Sequence, residues 1–124
     1  MKNFLLKPKI YIPLFFSLAL IATMFISDIY YTKLEKEYPL LVKKDNVYGK
    51  ITSNKDHFNY TYIEVDNKIK RLIRPIKNDN YSPAVFSDFI LNGDVIKYEI
   101  NKNQIEIIRA ENTYFFNLDS DFFK

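Results

Sequence analysis

Between Ile10 and Ser27 the chain runs for 18 residues without a charged side chain, IYIPLFFSLALIATMFIS, and no other feature limits its fold so sharply. With Asp28 and Ile29 the stretch reaches the ~20 residues that a helix rising ~1.5 Å per residue needs to cross ~30 Å of hydrocarbon. Eleven Leu, Ile and Phe residues lie between Ile10 and Ile29. At about −0.3 to −0.6 kcal/mol each they favour the bilayer by roughly 3 to 6 kcal/mol. Ser17, Thr23 and Ser27 are mild interruptions, because their hydroxyls can bond the carbonyl one turn back. Tyr11 on one side and Tyr30 with Tyr31 on the other suit the two aromatic belts. A helix starting near Ile10 puts Pro13 in its first turn, where the missing N–H costs nothing. Pro39 pushes Tyr38 out of the α region, so the helix is expected to end at about Glu37.

Other readings of the stretch fit less well. A soluble core helix would need burial on every side, and an interfacial helix needs a charged face that this segment lacks. A cleaved signal peptide shares the basic start, but its apolar region is shorter and an A-x-A-like site should follow. With no cysteine in the chain, lipidation at a cysteine is excluded. The expectation is a retained signal anchor. It divides the chain into a basic tail (1–9), a transmembrane helix (10–31, extending to about 37 outside the bilayer) and a small domain (38–124). Lys2, Lys7 and Lys9 before the span point to a cytoplasmic N-terminus and an extracytoplasmic C-terminal domain.

Charge and composition narrow what that domain can do. Those three lysines account for the whole net charge of +3; the 15 remaining basic residues balance all 15 acidic ones. A neutral domain creates little field for steering toward nucleic acid or anionic lipid, so no nucleic-acid partner is expected. The absence of cysteine excludes disulfides, cysteine-ligated zinc and a thiol nucleophile. A single histidine excludes a multi-histidine metal site, and two glycines 44 residues apart exclude a phosphate-binding glycine loop. The expectation is a protein without cofactor, metal or catalytic residues.

After Pro39 the helical pattern gives way to short β-rich runs about ten residues apart, the spacing of a small barrel or sandwich. Val47–Ser53 alternates Val47, Gly49 and Ile51 against Tyr48, Lys50 and Thr52. A polar loop, NKDH, leads to Tyr60–Val65, in which Thr61, Ile63 and Val65 share a face. Around Asp66-Asn67-Lys68 a two-residue loop would set the aliphatic faces against each other. A three-residue loop pairs Val65 with Ile69 and Glu64 with Lys70, and is preferred because a one-residue slip inverts every side chain. It leaves Arg71 on the inward-leaning face, in need of a carboxylate or a place at the barrel mouth. Ile69–Arg74, Val95–Ile100, Ile105–Ala110 and Tyr114–Leu118 complete six strands. Between the third and fourth, Ser82 or Ser87 is expected to cap a short helix carrying Phe86, Phe89 and Ile90. Seven Tyr and seven Phe from residue 38 onward supply a core, and Phe122 with Phe123 is expected to fold onto it.

The order of three strands, a short helix and two or three more strands, with FILNGDVI opening the fourth, resembles the OB-fold and its small-barrel relatives; an SH3-like barrel shares the pattern. The layout as a whole is similar to largely uncharacterised single-span bacterial envelope proteins. The resemblance covers about Val47 to Leu118 and rests on the short Gly-Asp turn, so it implies an architecture rather than an activity. It departs from the OB-fold in a sixth strand and in the scarcity of glycine at strand bends.

Few side chains suggest a binding surface. Lys68, Lys70, Arg71, Arg74 and Lys77 form the densest basic run, suited to a phosphate, lipid head group or acidic polymer; the plainer reading is a solvated strand whose lysines discourage edge pairing. Tyr60, Tyr62 and Tyr48 suggest an outward aromatic stripe, or simply cross-strand packing beneath a loop. His57 reads as a loop histidine without a paired nucleophile. Asp119 and Asp121 lack calcium-loop spacing, and two glycosylation sequons (Asn59-Tyr60-Thr61 and Asn80-Tyr81-Ser82) are near chance frequency. The leading expectation is a non-enzymatic membrane-anchored β-domain that binds another envelope protein. A module for an anionic glycan or lipid head group comes next, and a hydrolase using carboxylates among Glu64, Glu99 and Glu106 a distant third. Oligomeric state is left open by the sequence.

Overall fold

A computed structural model describes residues 8–123 of the chain. These divide into two compact units, with the boundary between Lys36 and Glu37.

The first unit consists of one helix, α1 (Pro8–Glu37), 30 residues long, whose last residue, Glu37, belongs to the second unit. Its segment Tyr11–Glu37 has a mean hydropathy of 2.0 over its most apolar window and is long and apolar enough to cross a membrane. At ~1.5 Å per residue those 27 residues reach about 40 Å, beyond the ~30 Å of hydrocarbon. The helix opens with Pro8, a residue whose fixed φ suits the first helical position. Pro13 therefore falls in the second turn and removes one backbone bond, contrary to the expected start near Ile10. The Thr23 hydroxyl donates to the Ala19 carbonyl at 2.8 Å, as the helical spacing requires.

The second unit is a six-stranded antiparallel sheet and one short helix: β1 (Val47–His57), β2 (Tyr60–Val65), β3 (Ile69–Ile73), α2 (Phe86–Phe89), β4 (Val95–Tyr98), β5 (Gln104–Arg109) and β6 (Asn112–Asn117). The strand order is β3-β2-β1-β4-β5-β6. β1 is shared between two halves: Val47–Lys50 pairs with β4, and Ile51–His57 pairs with β2. The end strands β3 and β6 are not paired with each other, so the sheet is open.

Two residues bend β1 at the junction. Gly49 has φ +155°, and a Cβ there would run into the Asp66 carboxylate and the Val65 side chain. Without that Cβ, Asp66 donates its N–H to the Lys50 carbonyl (2.9 Å) and accepts the Lys50 N–H on its carboxylate (3.0 Å). The register then slips between Ile51 and Ser53, leaving Thr52 as the extra residue of a bulge. The Thr52 hydroxyl satisfies the slip, donating to the Glu64 carbonyl and accepting the Asn67 N–H.

The three-residue β2–β3 loop is present as expected, with Val65 opposite Ile69 and Glu64 opposite Lys70. β1, however, runs four residues past Ser53. The polar stretch NKDH is strand, paired with Tyr60–Ile63, and the loop is only Phe58-Asn59. Helix α2 also differs from expectation: Val85 is its N-cap, without a side-chain bond, and Ser87 lies inside it and buried. The core gathers Ile51, Ile63, Val65, Ile96, Ile105 and Ile107 from the sheet, with Phe86, Phe116 and Tyr98 as its largest members. Phe122 joins it and Phe123 packs against it.

Candidate functional site

The hairpin tip between β1 and β2 departs furthest from ordinary local chemistry. Phe58 (φ +50°) and Asn59 (φ +66°) form a two-residue loop with both residues left-handed, the pattern of a type I′ turn. Asn tolerates that region; a bulky aromatic does not, and such strain collects where a side chain has a task. Phe58 is 83% exposed, the most exposed large hydrophobic of the molecule's described residues. Its ring lies 4.3 Å from that of His57, tilted by 56°, so the tip presents two rings. His57 thus closes β1 opposite Tyr60 rather than lying in a loop.

The five basic residues of the third-strand region do not converge. Lys68 is exposed in the β2–β3 turn. Lys70 lies 3.9 Å from Glu37, with its ammonium 5.4 Å from the centre of the Tyr38 ring. Arg71, on the other face of β3, finds the carboxylate that its inward position calls for: its Nε lies 3.3 Å from Asp45. Asp45 is held in turn by the Val42 N–H at 2.9 Å. Arg74 donates to the Phe122 carbonyl at 2.8 Å, and Lys77 is 3.9 Å from Asp79 in an exposed pair.

The three tyrosines are likewise dispersed. Tyr62 is 3% exposed, covered by Tyr38 in an edge-to-face contact at 5.5 Å and paired with Leu72 across the strands. Tyr60 stays partly open near the hairpin tip, whereas Tyr48 stands on the other half of β1, opposite Lys97 of β4.

A polar groove of about 480 Å³ lies between the segment after β3 and residues 117–122. Arg74 and Lys77 line it together with Asp119 and Asp121, so it carries both signs of charge. Among the described residues no group of three His, Asp or Glu side chains is placed to hold a metal ion. Of the three glutamates, Glu64 faces Lys70 across β2–β3, whereas Glu106 faces Lys97 across β4–β5. Glu99 binds Lys97 at 3.1 Å, and that bond, with Glu106 nearby, raises the Lys97 pKa.

Sequence reasoning passed over Phe58 because the loop was expected four residues earlier. The available signal was Asn59, a residue suited to positive φ directly before a β-alternating run. No family model, no curated protein and no solved structure matches the chain.

Proposed function

We propose that the chain is a non-enzymatic, membrane-anchored β-domain that docks onto another protein of the cell envelope through the tip of its β1–β2 hairpin. The observation behind this reading is Phe58: a large apolar side chain held in strained backbone at a two-residue turn and left almost fully open to solvent. Buried aromatic anchors supply most of the binding energy in protein interfaces, and an exposed, pre-positioned one loses little entropy on binding. The OB-like ordering of the strands, with α2 between β3 and β4, agrees with it, since the loop joining the first two strands of that fold is a common ligand contact.

Helix α1 acts in this reading as a signal anchor. Lys2, Lys7 and Lys9 before the span support a cytoplasmic N-terminus and an external domain. Protease added to intact cells then degrades the domain and spares the N-terminal tail.

A site for an anionic glycan or lipid head group on the basic strand has less behind it. Lys70, Arg71 and Arg74 each already meet an oxygen of the domain, and the nearest groove contains two carboxylates. The deciding experiment is a pulldown of the full-length protein from detergent-solubilised membranes. A stoichiometric protein partner is expected with the wild type and should be lost with Phe58→Ala. Repeated absence of any partner from the wild type overturns the proposal.

A further inference from the structure

The outer face of the β1-β4-β5-β6 half carries a pattern that docking through the hairpin tip does not use. Registers are continuous across all four strands: Tyr48 lies opposite Lys97, Lys97 opposite Glu106, and Glu106 opposite Phe115. One row therefore reads aromatic, cation, anion, aromatic. Its two aromatics are both exposed, Tyr48 by 66% and Phe115 by 39%. Along the strands on the same face, Val95 stands opposite Ile108, half-buried in the middle of the next row.

From this order we propose that the face pairs with the same face of a second copy of the chain. A two-fold axis running along the strands, midway between β4 and β5, lays each β4 over the partner's β5 and each β1 over the partner's β6. Lys97 then meets the partner's Glu106, Tyr48 meets the partner's Phe115, and Val95 meets the partner's Ile108. Each contact occurs twice, as an isologous interface demands, and every pairing is complementary. A heterologous partner would have no need of a row that is its own complement.

The rest of the domain directs association to this surface. The opposite half has its outer face covered where Tyr38 lies on Tyr62. The β3 edge is bonded at Leu72 by Pro39 and Leu41. The β6 edge is engaged at Phe115, whose N–H donates to the Tyr81 hydroxyl and so is taken from any further strand, while its carbonyl accepts from the Asn78 amide. Strand addition is blocked at those points, and the open face remains.

Four strands spaced by ~4.8 Å and two side-chain rows ~7 Å apart give about 250–300 Å² per copy, well under half of a standard interface. Such a pair is weak in dilute solution and is populated when both copies share one membrane, where anchoring raises their effective concentration. The face is separate from the hairpin tip, so pairing does not depend on which protein Phe58 engages.

The chain contains no cysteine, which makes cross-linking a clean test. Full-length Tyr48→Cys and Phe115→Cys chains, differently tagged, are co-expressed in one membrane and oxidised. The expected product is a mixed disulfide between the two tags, with little product when either variant is expressed alone. Adding Lys97→Glu to both chains sets like charges against each other and should lower the mixed product several-fold. Placing Lys97→Glu on the Tyr48→Cys chain and Glu106→Lys on the Phe115→Cys chain restores both ion pairs between copies, and with them the cross-link. That rescue occurs only between chains, because each single variant is internally mismatched. Absence of the mixed disulfide, or a yield indifferent to the charge pattern, overturns the proposal.

Discussion

Arg109 grips Asp94 with two nitrogens: Nε donates to one carboxylate oxygen at 2.8 Å and a terminal nitrogen to the other at 2.7 Å. Asp94 is only 3% exposed, and its carboxylate also accepts the Leu91 N–H at 2.9 Å. The guanidinium stacks over the Phe89 ring at 4.6 Å and donates to the Phe89 carbonyl. One side chain of β5 thus fastens the end of α2 to the Asn92-Gly93-Asp94 turn, and the bond to Asp94 raises the Arg109 pKa further still. Arg109→Leu leaves a buried carboxylate without its cation and should cost about 2–4 kcal/mol, read as a lower urea midpoint. Arg109→Lys should recover only part of that, because an ammonium cannot make the two-pronged contact.

Alkali should weaken the domain through Tyr98. Its hydroxyl donates toward the Lys43 and Lys102 carbonyls, and burial, then the nearby Asp45 charge, pushes its pKa up from 10.0. A raised native pKa means that above about pH 10 the unfolded chain loses the phenolic proton first, so stability is intact below pH 10 and falls as pH rises beyond it. Urea midpoints measured from pH 8 to 11 should show that fall, and Tyr98→Phe should flatten it while lowering stability by about 1 kcal/mol throughout.

At the hairpin tip, stability and binding should move in opposite directions. Phe58→Gly relieves a left-handed aromatic and should raise stability by about 0.5–1 kcal/mol. The same substitution removes the proposed anchor, so the thermally stronger variant should be the one that loses its partner in a pulldown. A variant that is both stabilised and still bound would separate the strain from any docking role.

Gly49 admits no side chain. Gly49→Ala forces a Cβ toward Asp66 and Val65 at φ +155° and should cost about 2–4 kcal/mol. Gly93→Ala meets no atom closer than 4.0 Å and suffers only from its φ of +101°, so thermal melts of the two variants should rank Gly49→Ala clearly lower.

The anchor can be tested by a single charge. Leu20→Arg at the centre of α1 should cost about 2.5–3.5 kcal/mol of insertion free energy. Alkaline carbonate should then extract the variant while the wild type stays with the membrane.

Much of the architecture was legible in local pattern. Alternation of Ile63 and Val65 with Ile69 and Ile73 determined the β2–β3 register; for the inward-leaning Arg71 the pattern left open a carboxylate partner or a place at the barrel mouth, and the carboxylate is found in Asp45. Asn54, Lys55 and Asp56 hid the far half of β1, since their pairing with β2 is decided by partners along the hairpin rather than by their own preferences. The site was harder to read. Tyr62 looks outward by alternation, yet Tyr38 from well outside the strand covers it, a contact that no period-two pattern contains. The basic residues lie close in sequence, but successive ones leave a strand on opposite faces and reach different partners.

The bend in β1 also shapes how the domain comes apart. Because one strand supplies a hydrogen-bonded neighbour to both halves, neither half is a complete ladder by itself. Fraying that begins at β3 or at β6 is checked on reaching this common rail, and losing the rail dissolves both at once. Amide exchange should therefore be slowest along Val47–Ile51, a single clasp governing the whole.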